Sequence, residues 1–234
     1  MMLTLIVIAV VSGALLAGAA WGAYFRLPKK TEGFLVALAG GALLLSAVSE
    51  LIVPSIEKSS VMVAMAGVLA GAIVFSALDY WIDEKWGETS GGGLLAAVTL
   101  DGLPENLALG VALIAATPLE VAALAGSILL SNLPEAAGSA REMNDNGESK
   151  SRIMLVWAGT ALALSAAALI GNVTLAGVSE HWLALIRCFA AGAVVASLAT
   201  EVFPKAYKED HHLAGIATAL GVMLAFGLGS LAGT

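Results

Sequence analysis

Asp101-Gly102-Leu103-Pro104-Glu105 and Ser131-Asn132-Leu133-Pro134-Glu135 decide how this chain reads. Each string sets a Pro and a Glu inside a long apolar segment, and the shared Leu-Pro-Glu recurs 30 positions on. Carboxylates at membrane depth are costly and by default mark an ion or substrate path. A Pro removes a backbone hydrogen bond and bends its helix. The two strings therefore predict a polar, cation-binding site between two bent transmembrane helices.

The rest of the composition agrees with a bilayer setting. Of 234 residues, 59% are hydrophobic and only 12% charged, and the mean hydropathy is +0.91. A soluble domain carries about 25% charged residues. The 26 glycines suit closely packed membrane helices. A net charge of −7 with few, scattered basic residues argues against nucleic acid as a partner. Cys188 is the single cysteine, which excludes an intrachain disulfide and a cysteine-cluster metal site. Residues 3–25 have no Lys or Arg before Arg26 and are too long for a secretory signal core, so they predict a retained first helix.

Apolar stretches near the roughly 20 residues that cross a bilayer fall at about 3–25, 33–55, 61–79, 94–114, 119–140, 153–172, 182–203 and 213–232. The expected fold is all-α: a polytopic membrane protein of eight helices in a single transmembrane transport domain, 1–234. The fourth and fifth helices part at Thr117-Pro118. No stretch alternates with period two, which excludes a β-barrel. The connections after helices one, three, five and seven hold Arg26, Lys29, Lys30, Lys85, Arg141, Lys150, Arg152, Lys205 and Lys208. The opposite set holds Lys58, with Arg187 just inside the seventh helix. Positive-inside bias then makes the first set cytoplasmic and puts both termini outside. Trp21, Tyr24, Tyr80, Trp81, Trp86, Trp157, Trp182 and Tyr207 lie near helix ends, as membrane-interface aromatics do. The acidic stretch from Asp79 to Glu88 reads as a solvated loop.

This topology implies a 3+2+3 plan. Inverted repeats at about 3–79 and 153–232 flank a central helix pair at about 94–140, a common transporter arrangement. Ser49-Glu50-Leu51-Ile52-Val53-Pro54 loosely echoes Thr200-Glu201-Val202-Phe203-Pro204.

Residues four apart share a helix face. Asp101 and Glu105 therefore point the same way, and Ser127, Ser131 and Glu135 form a similar stripe. Pro104 and Pro134 free the carbonyls of Leu100 and Leu130 for a cation or water. The candidate metal ligands are Asp101, Glu105, Ser131, Asn132 and Glu135, an all-oxygen set. Crowded carboxylates repel one another and take up protons unless a cation is present, so proton exchange against metal is built in. Glu50, toward the outer end of its helix, and Glu201, toward the inner end, are placed along the path. The alternative is that each simply reaches an interface. His211 and His212, beside Glu209 and Asp210, read as a solvated loop, with transient capture of departing metal as the alternative. His181 reads as an interface residue.

At these residues the chain resembles the ZIP (Zrt/Irt-like) family of divalent metal-ion transporters. Members carry His-Asn-x-Pro-Glu-Gly on the fourth helix and a similar Pro-bearing pattern on the fifth. The Pro and Glu positions match at Pro104, Glu105, Pro134 and Glu135. Asp101 and Ser131 replace the motif His residues, and Gly102 stands where an Asn ligand is usual. The resemblance implies that Glu105 and Glu135 bridge metals, with Asp101, Ser131 and Asn132 at flanking positions. It also implies import into the cytoplasm by an elevator-like or rocking motion of one helix group against another.

The expected function is import of divalent cations. The family implies zinc, whereas an all-oxygen set suits manganese or iron. The alternative is a protein of the same fold with weak or lost transport, acting as a structural or regulatory partner. No catalytic cofactor is expected, and an intramembrane enzyme is disfavoured: no His-Glu-x-x-His, Gly-x-Gly-Asp or Ser/His pair is present at membrane depth. Expected partners are divalent metal ions and the lipid bilayer, with a homodimer as an open alternative. A prokaryotic plasma membrane is the expected location.

Overall fold

A computed structural model describes residues 2–25, 28–86 and 118–232, together with 99, 102, 103, 105–107, 109–111, 113 and 114. Among the described residues the chain is helical, with no strand. Seven helices account for most of them: α1 (Met2–Tyr24), α2 (Lys29–Lys58), α3 (Val61–Trp86), α4 (Pro118–Asp145), α5 (Lys150–Thr174), α6 (Glu180–Glu209) and α7 (Ala214–Ala232). Residues 102, 103, 105–107 and 109–111 are also helical and fall within the predicted fourth span. Five of the helices, α1, α2, α3, α5 and α6, are long and apolar enough to cross a membrane. The chain is thus built as an integral membrane protein.

Several helices outrun the apolar stretches that announce them. α2 and α6 have 30 residues each and α3 has 26. At 1.5 Å per residue they extend about 39–45 Å, beyond a hydrocarbon core of about 30 Å. Their ends therefore carry charge. α3 continues through residues 79–86, where a solvated loop was expected, and Lys85 lies over the Trp81 ring at 4.6 Å. Arg141, Lys205 and Lys208, counted above as connection residues, belong to α4 and α6. α4 begins at Pro118, where a missing N–H costs nothing in the first turn. Trp157, expected at an interface, is instead buried among α1, α4 and α5 beside Ile153, Ala161 and Met143.

α2 and α6 share one irregularity. Each is interrupted by a π turn, Ala47–Ile52 in α2 and Leu198–Val202 in α6. Val53 N–H donates to the Val48 carbonyl and Phe203 N–H to the Leu198 carbonyl, one residue further back than in an α-helix. The cause is the prolines that follow. Pro54 and Pro204 lack an N–H, and their rings crowd the carbonyls of Glu50 and Thr200 four residues back. The wider turn makes room for the ring.

Glycines set which helices touch. A Cβ at Gly41 would fall on the Thr218 carbonyl oxygen of α7, and one at Gly221 on the Leu38 carbonyl oxygen of α2. The same reciprocal fit joins Gly71 of α3 to Phe189, and Gly192 of α6 to Val68. It recurs between Gly110 and Ala168 of α5, and between Gly171 and Leu107 at 2.8 Å. In each pair the glycine sits on the carbonyl three residues before its partner glycine. On α1, Gly18 and Gly22 lie on the carbonyls of Leu133 and Ala137 of α4, each three residues before an alanine, Ala136 and Ala140. Small residues at such crossings let membrane helices approach backbone to backbone. Four close pairs result: α1 with α4, α2 with α7, α3 with α6, and the 102–111 stretch with α5.

A central cluster ties these pairs together. Val7 and Val11 of α1, Leu43, Ala47 and Leu51 of α2, Leu109 of the 102–111 stretch, Ala125 and Ile128 of α4, and Ala190, Val194 and Leu198 of α6 pack as one core. Both π turns contribute to it.

Candidate metal centre

Glu105 and Asn132 are the two described candidate ligands that the fold buries, at 9% and 2% exposure. Burying such groups is costly unless they are partnered, so their position needs a reason. Glu105 lies one turn before Leu109, and Asn132 one turn after Ile128; both apolar residues belong to the central cluster. The polar groups therefore stand directly beside that cluster on two different elements. Asn106, also buried, donates its amide to the Gly102 carbonyl at 2.9 Å and stiffens the turn that carries Glu105. The Asn132 Nδ2 group has no hydrogen-bond partner among the described residues.

Glu135 is half-buried on α4, one turn along from the Ser131 position. Pro134 lies buried inside α4 and gives the Leu130 carbonyl no backbone donor. Asp101 and Pro104, a candidate ligand and a candidate bend, lie outside the described residues, as does the side chain of Ser131. Among the described residues, no three His, Cys, Asp or Glu side chains form a group that could hold a metal.

Glu50 and Glu201 both lie in the π turns, half-buried. Their helices run antiparallel, because Gly33 lies against Ala206 and Glu209 while Gly40 lies against Phe203. That register sets Glu201 level with Gly41, nine residues or roughly 13 Å of helix rise from Glu50. Buried Ser46 and Ser197 fall at one level between the two acids. Ser49 Oγ donates to the Leu45 carbonyl at 3.0 Å, and Thr200 Oγ1 donates to that of Ala196 at 3.1 Å. The two sites are thus built alike and stand at different depths.

The sequence carries a signal for this that the Ser49 and Thr200 echo only begins. Gly41-Ala42-Leu43-Leu44-Leu45-Ser46-Ala47-Val48-Ser49-Glu50 matches Gly192-Ala193-Val194-Val195-Ala196-Ser197-Leu198-Ala199-Thr200-Glu201 position by position in character. Each acid follows its crossing glycine by nine residues. The central pair behaves likewise: Glu105 precedes Gly110 by five residues, and Glu135 precedes Ala140 by five.

Charge gathers at one end. Glu32 of α2 is buried and paired with Arg141 of α4, Nη1 to Oε2 at 3.0 Å. Its other oxygen, Oε1, lies where a Cβ on Gly138 would be, and Lys205 Nζ of α6 is 3.1 Å from that point. His211 and His212 pack ring on ring at 3.9 Å in the turn before α7, while Asp210 accepts the His212 and Leu213 N–H groups. Asp210, itself buried, holds the turn that leads into α7.

Comparison with protein-family models and with curated proteins gives no match to this chain.

Proposed function

We propose that this protein carries divalent metal cations across the membrane, with Glu105, Asn132 and Glu135 as the ligands on the central pair of elements. The observation that carries the reading is the burial of Glu105 and Asn132 beside one apolar cluster, on two elements, in a chain built of membrane helices. A carboxylate, an amide and a Pro-freed carbonyl offer only oxygen to a cation, and oxygen donors favour manganese, magnesium or calcium over softer ions. Likeness to the ZIP family points instead to zinc. Glu50 and Glu201 would receive the ion on either side of the centre.

The eight-helix, 3+2+3 inverted arrangement belongs to the same proposal. Three regularities support it: the matched π turns, the nine-residue and five-residue spacings, and the reciprocal glycine crossings. Under an inverted repeat, α1 corresponds to α5, α2 to α6, and α3 to α7. The four close pairs then map onto one another. They also divide into two groups: α1, α4, α5 and the 102–111 stretch in one, α2, α3, α6 and α7 in the other. Movement of one group against the other would expose the central acids to each side in turn.

Manganese and zinc uptake into proteoliposomes tests the reading, with Glu105→Gln and Glu135→Gln as variants. Each should abolish uptake while the protein stays monodisperse and melts normally. Full uptake by both would refute the site.

A further inference from the structure

We propose that Arg141 is a two-position latch that closes the charged end of the cation path, bound to Glu32 when shut and to Asp145 when open. The inference rests on the transport reading above, in which the path runs along α4 past Glu135.

The latch sits where the two helix groups meet. Glu32 belongs to α2 and Arg141 to α4, so their 3.0 Å pair ties one group to the other. Lys205 of α6 reaches the same spot over Gly138. Gly138 and Ser139 lie one turn beyond Glu135 on nearly the same face of α4. Lys205 lies one turn beyond Glu201 on α6. The cluster therefore lies one turn beyond the acids on both elements.

Arg141 has a second partner. Its Nε lies 3.6 Å from Asp145 Oδ2, one turn further along α4. The two carboxylates differ sharply in setting. The side chain of Glu32 is 7% exposed and that of Asp145 is 66% exposed. A guanidinium can hold both at once through separate N–H groups, or swing wholly to the outer one. The first position binds α4 to α2; the second releases it while keeping the charge paired. The latch needs no large backbone movement.

The opposite end of the molecule is built differently. Glu32 precedes Gly41 by nine residues, and the residue nine before Gly192 is Leu183. Arg141 follows Ala140, and the residue after Gly110 is Val111. Leu183 and Val111 are both buried and apolar. At corresponding places, then, one end has an ion pair with a spare partner and the other has two buried apolar side chains. Apolar side chains offer no exchange of partners, whereas Arg141 does, so control of opening lies with Arg141.

The test uses a single reporter thiol. Cys188→Ala removes the native cysteine, and Ser139→Cys places a thiol at a buried site beside the latch. Reconstituted protein is exposed to a membrane-impermeant maleimide from the Arg141 face, and the labelling rate is read. Arg141→Gln should raise that rate about tenfold or more, the scale set by losing a charge-assisted hydrogen bond. Asp145→Asn, a change at an exposed position that leaves folding intact, should lower the rate about twofold, because an exposed i,i+4 pair no longer draws Arg141 outward. An unchanged rate in Arg141→Gln or a faster rate in Asp145→Asn would each overturn the latch. Manganese uptake by Glu105→Gln and Glu135→Gln separates the two ideas. If those variants transport normally while labelling responds as stated, the assignment of Glu105 and Glu135 as ligands fails and the latch stands. If they lose uptake while labelling ignores Arg141, the latch alone fails.

Discussion

Gly192→Ala measures how tightly the helices are pressed together. A methyl group at Gly192 would fall on the Val68 carbonyl oxygen, 2.7 Å from the carbonyl carbon and 2.8 Å from Val68 Cα. Carbon atoms in comfortable contact stand about 3.5–4.0 Å apart. The two backbones would have to separate by roughly 1 Å, and no side-chain rotation can relieve a clash with a main chain. Overpacking of this kind costs about 1–3 kcal/mol. Loss of the close Cα–H···O contact adds about 0.5–1 kcal/mol. The intrinsic helix preference of Ala over Gly returns about 0.5–1 kcal/mol. The net loss is about 1–3 kcal/mol, which for a chain of this size lowers the melting temperature by roughly 2–12 °C. Gly159 of α5 provides the control, since nothing lies within 4 Å of a Cβ built there. Gly159→Ala should melt at or slightly above the parent. Tryptophan fluorescence during thermal unfolding in detergent reads both. If Gly192→Ala melts as high as Gly159→Ala, the backbone-to-backbone crossing is refuted.

Two further outcomes are expected. Asp101→His combined with Ser131→His should shift the uptake preference from manganese toward zinc in a competition assay, because imidazole is the softer ligand; an unchanged ratio would remove the argument from ligand type. Pro54→Ala gives residue 54 an N–H that can reach the Glu50 carbonyl, so the π turn should relax and turn Glu50 by about 100°. Metal uptake should then fall while amide exchange at Val53 reports the altered bonding. A regular helix that transports normally would show that the π turn has no part in the path.

Much of the architecture was legible in the chain. Long apolar stretches announce α1, α5 and α7 to within a few residues, because the bilayer imposes their length. The ends of α2, α3, α4 and α6 were not legible from hydropathy, since a helix that leaves the hydrocarbon core can carry charges that are solvated, as Lys85 is, or paired, as Glu32 and Arg141 are. The π turns left no periodic mark beyond Pro54 and Pro204. Pairing by glycine was hidden as well: a count of 26 glycines suggests close packing but does not say that Gly41 meets Gly221 or that Gly71 meets Gly192. The Glu32–Arg141 pair joins residues 109 positions apart, and in the sequence Arg141 stands only as one basic residue of a connection. Glu105 and Asn132 stood out from the start, because their polarity breaks an apolar run.

The nine residues from Gly41 to Glu50, repeated from Gly192 to Glu201, work as a measuring rod. One end is pinned where two main chains touch and cannot slide. The other end carries the acid, so the depth of that acid is fixed by covalent counting and not by the reach of a flexible side chain. A single residue inserted between pin and acid would swing the carboxylate a quarter-turn around the cylinder. No neighbouring side chain could undo that, and in such a chain substitutions are forgiven more readily than changes of length.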